Sequence, residues 1–127
     1  MSKLKILIAE DDKSIQALYR KGLSPDFFEP LYISNGREAL EFYRSWRPDI
    51  IILDIMLPEV TGYTVLREIR EMDQDLSTTI IMVSSMSYES DIRDCQKFSI
   101  QGYIAKPFNY REIGTRIIQC HQDLKEH

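Results

Sequence analysis

The stretch Ile50–Pro58, "IIILDIMLP", decides how the rest of the chain is to be read. Ile50 to Leu53 form a continuous apolar run of the kind that a parallel strand buries on both faces. Asp54 closes that run. A carboxylate in an apolar setting is costly unless it is paired or performs chemistry, so the question is what this edge of the strand offers it.

Working outward, the same pattern recurs. Short apolar runs appear at Lys5–Ala9 ("KILIA"), Leu31–Ser34 ("LYIS"), Ile80–Ser84 ("IIMVS") and Gly102–Ala105 ("GYIA"). Each is followed by a turn and a helical pattern. Ile15, Leu18, Tyr19 and Leu23 share one face and stop at Gly22 and Ser24-Pro25. Asn35-Gly36 opens a second helix on Ala39, Leu40 and Tyr43, which Arg47-Pro48 ends. A third is predicted from about Thr64 to Met72 on Val65, Ile69 and Met72. A fourth, from about Ser90 to Phe98, has only Ile92, Cys95 and Phe98 as apolar anchors, so it is expected to pack least firmly. The last runs from about Tyr110 to Leu124 on Ile113, Ile117, Cys120 and Leu124. Five βα units imply an α/β fold, a parallel sheet with right-handed crossovers and helices on both faces. Function in such sheets sits at the carboxyl ends of the strands.

Composition fits one domain spanning residues 1–127, long enough to bury a core without disulfides. Lys plus Arg at 16 against Asp plus Glu at 20 gives a net charge near −4, which speaks against a general nucleic-acid binder. Cys95 and Cys120 lack metal-ligand spacing and read as reduced thiols. No run approaches the ~18 to 20 apolar residues of a membrane span, and the first nine residues are too short for a signal sequence. A cytoplasmic protein without membrane insertion is the expectation.

The strand ends carry a constellation. Glu10, Asp11 and Asp12 follow the first strand, Asp54 closes the third, Ser84 and Ser85 end the fourth, and Lys106-Pro107 follows the fifth. Several carboxylates at one edge call for a cation between them. Mg²⁺ suits a few carboxylates, a backbone carbonyl and retained waters. Lys106 adds a point charge and Ser84 a hydroxyl, which together frame three phosphoryl oxygens around a carboxylate nucleophile. Asp54 is therefore read as a phosphorylation site. Asp12 has the simpler reading of a helix cap.

Taken as a set, "KILIAEDD", "PDIIILDIMLPEVTGYTVLREIR", "IIMVSSMS" and "GYIAKPFNYREI" resemble the receiver domain of bacterial two-component response regulators, over essentially the whole chain. The resemblance implies a flavodoxin-like (βα)5 fold with strand order 2-1-3-4-5. It implies Asp54 as phosphoacceptor, with Mg²⁺ held by Asp11, Asp54 and the Met56 backbone carbonyl, and by Glu10 through water. It further implies Ser84 as switch hydroxyl, Lys106 as phosphate-pairing lysine, and Tyr103 as the aromatic that turns inward on activation. Pro107 matches a proline after a commonly cis bond, and Pro58 and Gly62 fit the loop after the phosphoacceptor. The donor would be a sensor histidine kinase or a histidine phosphotransfer protein. Output would pass to a downstream protein target through the face of the fourth helix, fifth strand and fifth helix. Such a domain is no enzyme beyond its own phosphorylation and slow dephosphorylation.

Some positions depart from the usual pattern. Ser85 replaces a small Ala, and Met56 and Met86 are apolar where a polar side chain could orient an attacking water, so a long phosphoryl lifetime is expected. "QGY" replaces an acidic pair common in receivers that dimerise through the output face. Candidate partner contacts are Tyr88, Glu89, Arg93, Lys97, Gln101 and Arg111, with exposed Gln16 and Arg20 of the first helix as a kinase-docking surface by analogy. The alternatives are a phosphate-independent adaptor on the same fold, or a receiver cut from a larger regulator or hybrid kinase. A phosphohydrolase would need a general acid at Met56. The expectation is that no output domain follows Leu124 and that the start at Met1 favours a natural N-terminus, with the polar end "DLKEH" open as a free tail or the beginning of a linker.

Overall fold

The computed structural model describes residues 2–85 and 89–125, with the side chains of Glu89, Ser90 and Lys125 left aside. Five strands, β1 (Leu4–Ala9), β2 (Phe28–Ile33), β3 (Ile50–Asp54), β4 (Thr79–Ser84) and β5 (Gly102–Ala105), form one parallel sheet in the order β2-β1-β3-β4-β5. The helices are α1 (Lys13–Gly22), α2 (Gly36–Trp46), α3 (Gly62–Arg67), α4 (Glu89–Gln96) and α5 (Tyr110–Lys125).

Side-chain alternation along the strands divides the core into two layers. Leu7, Ala9, Ile51, Leu53, Ile80 and Met82 face Ala39, Tyr43, Val65, Leu66 and Ile69 of the α2–α3 side. Ile6, Ile8, Ile50, Ile52, Ile81 and Val83 face Tyr19, Ile113 and Ile117 of the α1–α5 side. Every residue of β3 is buried, Asp54 included. Each fully buried aliphatic contributes about 1.5–3 kcal/mol, so the apolar body of the strand holds its polar end in place.

Where the chain departs from its periodicity, the causes are local. β2 begins at Phe28, earlier than the apolar run from Leu31, because Phe28 pairs with Leu4 while Glu29 and Pro30 stay exposed. The strand is at the sheet edge, where a proline costs no ladder bond. The third helix does not run evenly to Met72. After α3 the chain widens into a π-helical turn over Glu68–Met72, in which the Asp73 amide reaches back to the Glu68 carbonyl. The extra residue rotates the following side chains, so Ile69 and Arg70 are buried and Met72, expected in the core, is 73% exposed. In α4 Cys95 is buried and Ile92 only half-buried, and the helix ends at Gln96, before Phe98.

Glycines fix the loop that carries the site. A Cβ on Gly62 would fall 2.1 Å from the Asp54 carbonyl oxygen, and one on Gly36 would fall 1.7 Å from that of Val60. The Gly62 amide instead donates to Ile55 O at 2.9 Å, and the Pro58 carbonyl accepts from Gly36 and Val60.

Candidate functional site

Three acids follow β1, and helix capping separates their roles. Asp12 Oδ1 accepts from the Ser14 and Ile15 amides at 2.8 and 3.4 Å and caps α1. Glu10 turns inward and is 1% exposed, whereas Asp11 faces solvent. Gln16 had been expected at the surface; it is instead 2% exposed, and its Nε2 donates to the Glu10 carbonyl at 2.5 Å. Its side chain braces the site from beneath and is not available for docking. Arg20 is exposed and lies over the Tyr32 ring, 4.2 Å from its centroid.

Asp54 keeps 7% of its surface and has both oxygens engaged. The Met56 amide donates to Oδ1 at 3.0 Å and Lys106 Nζ to Oδ2 at 2.6 Å. Lys106 also lies 2.5 Å from Glu10 Oε1, while Glu10 Oε2 accepts from the Asp12 amide at 3.1 Å. One ammonium is thus shared by two buried carboxylates. Burial works against its charge, but the pairing with Asp54 and Glu10 wins and raises the Lys106 pKa. For Glu10 the balance falls the other way: burial, helped by the nearby Asp54 charge, raises its pKa despite the hydrogen bonds to Lys106 and the Asp12 amide.

The sheet brings the other strand ends to the same place. The Lys106 amide donates to Ser84 O at 2.9 Å, and the Ile55 amide to Val83 O at 3.2 Å. Ser84 is 1% exposed and hydrogen-bonded with the Tyr103 hydroxyl. Tyr103 packs against the α2–α3 core layer, and burial raises its pKa, partly offset by that bond. Ser85 is exposed, and Met56, two residues after Asp54, is 61% exposed and brings no polar side-chain group to the acidic edge. The Lys106-Pro107 peptide is cis. One oxygen each of Glu10, Asp11 and Asp54 lie within 4.8 Å of one another, a hard-oxygen set.

A family model described as the response regulator receiver domain matches residues 6–118. The chain belongs to the response regulator receiver domain family. The receiver is 33% identical over 113 residues to the alkaline phosphatase synthesis transcriptional regulatory protein PhoP of Bacillus subtilis, covering 89% of this chain and 46% of that protein. It is 34% identical over 113 residues to the transcriptional regulatory protein BaeR of Escherichia coli, again with 89% and 46% covered. The receiver spans about half the length of the curated relatives it matches. Among solved structures it superposes on the chemotaxis response regulator CheY4 of Vibrio cholerae with a TM-score of 0.84 at 25% identity, over 94% of this chain and 99% of that one. The phosphorylated cyanobacterial phytochrome response regulator RcpA gives a TM-score of 0.77 at 27% identity, over 98% and 91%.

Two receiver residues that sequence reasoning passed over organise the ground behind the site. Arg70 is 6% exposed, and its guanidinium donates to the carbonyls of Asp75, Phe98 and Ser99 and to Gln101 Oε1 at 2.7 to 3.0 Å. Gln101 also accepts from the Ile80 amide and donates to Ser99 O, so this expected surface contact is committed inward. The second is Asp75, which organises the turn before β4. A buried arginine in the π-helical turn could have been found only from the broken helical phase. Among the other expected contacts, Arg93, Lys97 and Arg111 are exposed; Met86, Tyr88 and the Glu89 side chain lie outside the described residues. No helix among the described residues is long and apolar enough to cross a membrane.

Proposed function

We propose that this receiver, a single domain over residues 1–127, is the phosphoacceptor switch of a two-component or phosphorelay system, with Asp54 as the acceptor. The observation that carries the reading is the sharing of Lys106 between Asp54 and Glu10 at the edge where Asp11 and Ser84 also lie. Asp54 attacks the phosphorus of a phosphohistidine on a sensor histidine kinase or histidine phosphotransfer protein. The O–P bond forms as the N–P bond breaks, and the electron pair leaves with the imidazole nitrogen. A carboxylate attacks without losing a proton, so no general base is needed. Lys106 then moves its hydrogen bond from the carboxylate to a phosphoryl oxygen, and Ser84 offers its hydroxyl to another.

The donor set fits Mg²⁺. Asp11, Asp54 and the Met56 backbone carbonyl would hold it directly. Glu10, whose two oxygens already serve Lys106 and the Asp12 amide, would act through water. Bound there, Mg²⁺ neutralises charge that gathers on the transferring phosphoryl oxygens.

Capture of Ser84 by the phosphoryl group breaks its bond with Tyr103 and biases the α4–β5–α5 face, where a downstream protein target reads the state. The relatives that are named as transcriptional regulators are about twice as long, which also supports a receiver within a longer regulator. In either setting this domain is read as cytoplasmic, contacting proteins and not nucleic acid directly. The test is intact mass after acetyl phosphate, with and without Mg²⁺, for wild type and Asp54→Asn. A phosphoryl adduct that requires Mg²⁺ and is absent from the variant supports the switch. No adduct under any condition moves the reading to a phosphate-independent adaptor.

A further inference from the structure

A cleft of about 200 Å³ opens between α3 and α4, on the opposite side of α4 from the output face just described. Its floor is apolar, made by Ile55 at the end of the Asp54 strand, Tyr63 in the first turn of α3, and the buried Cys95. Its wall is acidic. Asp91 and Asp94, three residues apart on α4, line the same space, and among the described residues that line it none is basic. Tyr63 is braced from behind by Phe98 at a ring-centroid distance of 5.8 Å, so the floor is a packed surface.

The size, the floor and the wall select among occupants. Small-molecule sites run to roughly 300–1,000 Å³, so this cleft suits one long side chain better than a free ligand. A hydrated divalent ion gains nothing from an apolar floor. A side chain with an apolar stem and a delocalised cationic head matches each part: the stem lies on Ile55 and Cys95, the head meets Tyr63 and the two carboxylates. We infer that the α3–α4 cleft docks the guanidinium side chain of an arginine from a partner protein.

Two further features agree. Burial first, and then the charges of Asp91 and Asp94, push the Cys95 pKa up to about 11, so both carboxylates act on the floor of the cleft. The charges of Asp91 and Asp54 both act on the Tyr103 hydroxyl. The cleft and the acidic edge therefore share a neighbour. The single competing cation in evidence among the described residues is Lys97, 3.5 Å from Asp94 with both side chains largely in solvent. Such an exposed pair is readily displaced.

The inference does not depend on phosphorylation of Asp54, and it is tested on the unphosphorylated protein, whose labelling is measured separately. n-Butylguanidinium chloride is titrated into the full chain, following backbone amides by two-dimensional NMR, with n-butanol and MgCl2 as matched controls. Saturable shifts concentrated at Ile55, Tyr63, Asp91, Asp94 and Cys95 are expected. In the folded Asp91→Asn/Asp94→Asn variant the dissociation constant should rise about tenfold or more. Lys97→Ala should bind at least as tightly as wild type, since it removes the competing cation and leaves the wall intact. Shifts that grow linearly without saturating, that spread over the surface, that n-butanol or MgCl2 reproduces, or that survive removal of both acids would overturn it.

Discussion

Asp75 accepts five hydrogen bonds on two oxygens: from the Tyr43 hydroxyl, from the amide and hydroxyl of Ser77, and from the amide and hydroxyl of Thr78. Burial alone would raise its pKa, but these donors reverse the effect and hold it well below the usual carboxylate range. A depressed carboxylate stabilises the fold above its unfolded pKa of about 3.9, and that stability is lost as the pH falls toward the folded value. Acid titration of stability should therefore show a shallower loss below about pH 4 in Asp75→Asn than in wild type. An unchanged slope would mean the donors do not favour the charged form. At the site itself, Met56 has no polar atom with which to orient water toward a phosphoryl group on Asp54. Phosphoryl label should persist well beyond seconds in Mg²⁺ buffer and be lost several-fold faster in Met56→Asn. These two residues differ in how far the sequence exposes them. Met56 is legible because its place beside Asp54 is fixed along one strand and loop. Asp75 looks like any turn aspartate until Tyr43, 32 positions away, is seen to bond it.

Elements were easiest to read where burial is two-sided. β3 follows its apolar run residue for residue, because a strand inside a parallel sheet has no polar face to blur its limits. β2, at the sheet edge with exposed Glu29 and Pro30, hides its first half. The π-helical turn is illegible for a different reason: a single inserted residue leaves composition untouched and changes only which side chains face inward. Val65, Ile69 and Met72 satisfy a helical stripe, yet the fold uses Arg70 where the stripe predicts solvent. Arg70→Met keeps most of the volume and removes four donors' worth of anchoring, leaving several buried carbonyls short of a partner. It should lower stability by about 2–4 kcal/mol in urea denaturation. A loss under about 0.5 kcal/mol would show that water replaces the guanidinium at no cost.

Over the whole molecule, the site is assembled by topology from segments that are far apart in the chain. Glu10, Asp54, Ser84 and Lys106 close four different strands, and parallel pairing places all four carboxyl ends at one edge. That is why acids, hydroxyl and lysine could be assigned to one site from the βα rhythm alone, while the inward turn of Gln16 and the sharing of Lys106 required coordinates. Clustered acids also oppose one another in the folded chain, so a divalent cation that binds only the folded form should stabilise it. Mg²⁺ should raise the melting temperature, with a stabilisation that grows with the logarithm of its concentration and reaches about 2.7 kcal/mol at a hundredfold excess over its dissociation constant. In Asp11→Asn the rise should be largely absent; an equal rise would place the ion elsewhere.

The grip of Arg70 on the carbonyls of Phe98 and Ser99 has a mechanical meaning. It fixes the chain segment just past α4, so that under the proposed switch this helix would act as a lever with its fulcrum near Phe98. A displacement passed on from Ser84 in that switch would then be largest far from the bolt and vanish at it. Side chains near Asp91 should sweep further between the two states than those near Gln96, and cutting the bolt should turn a directed swing into an undirected wobble.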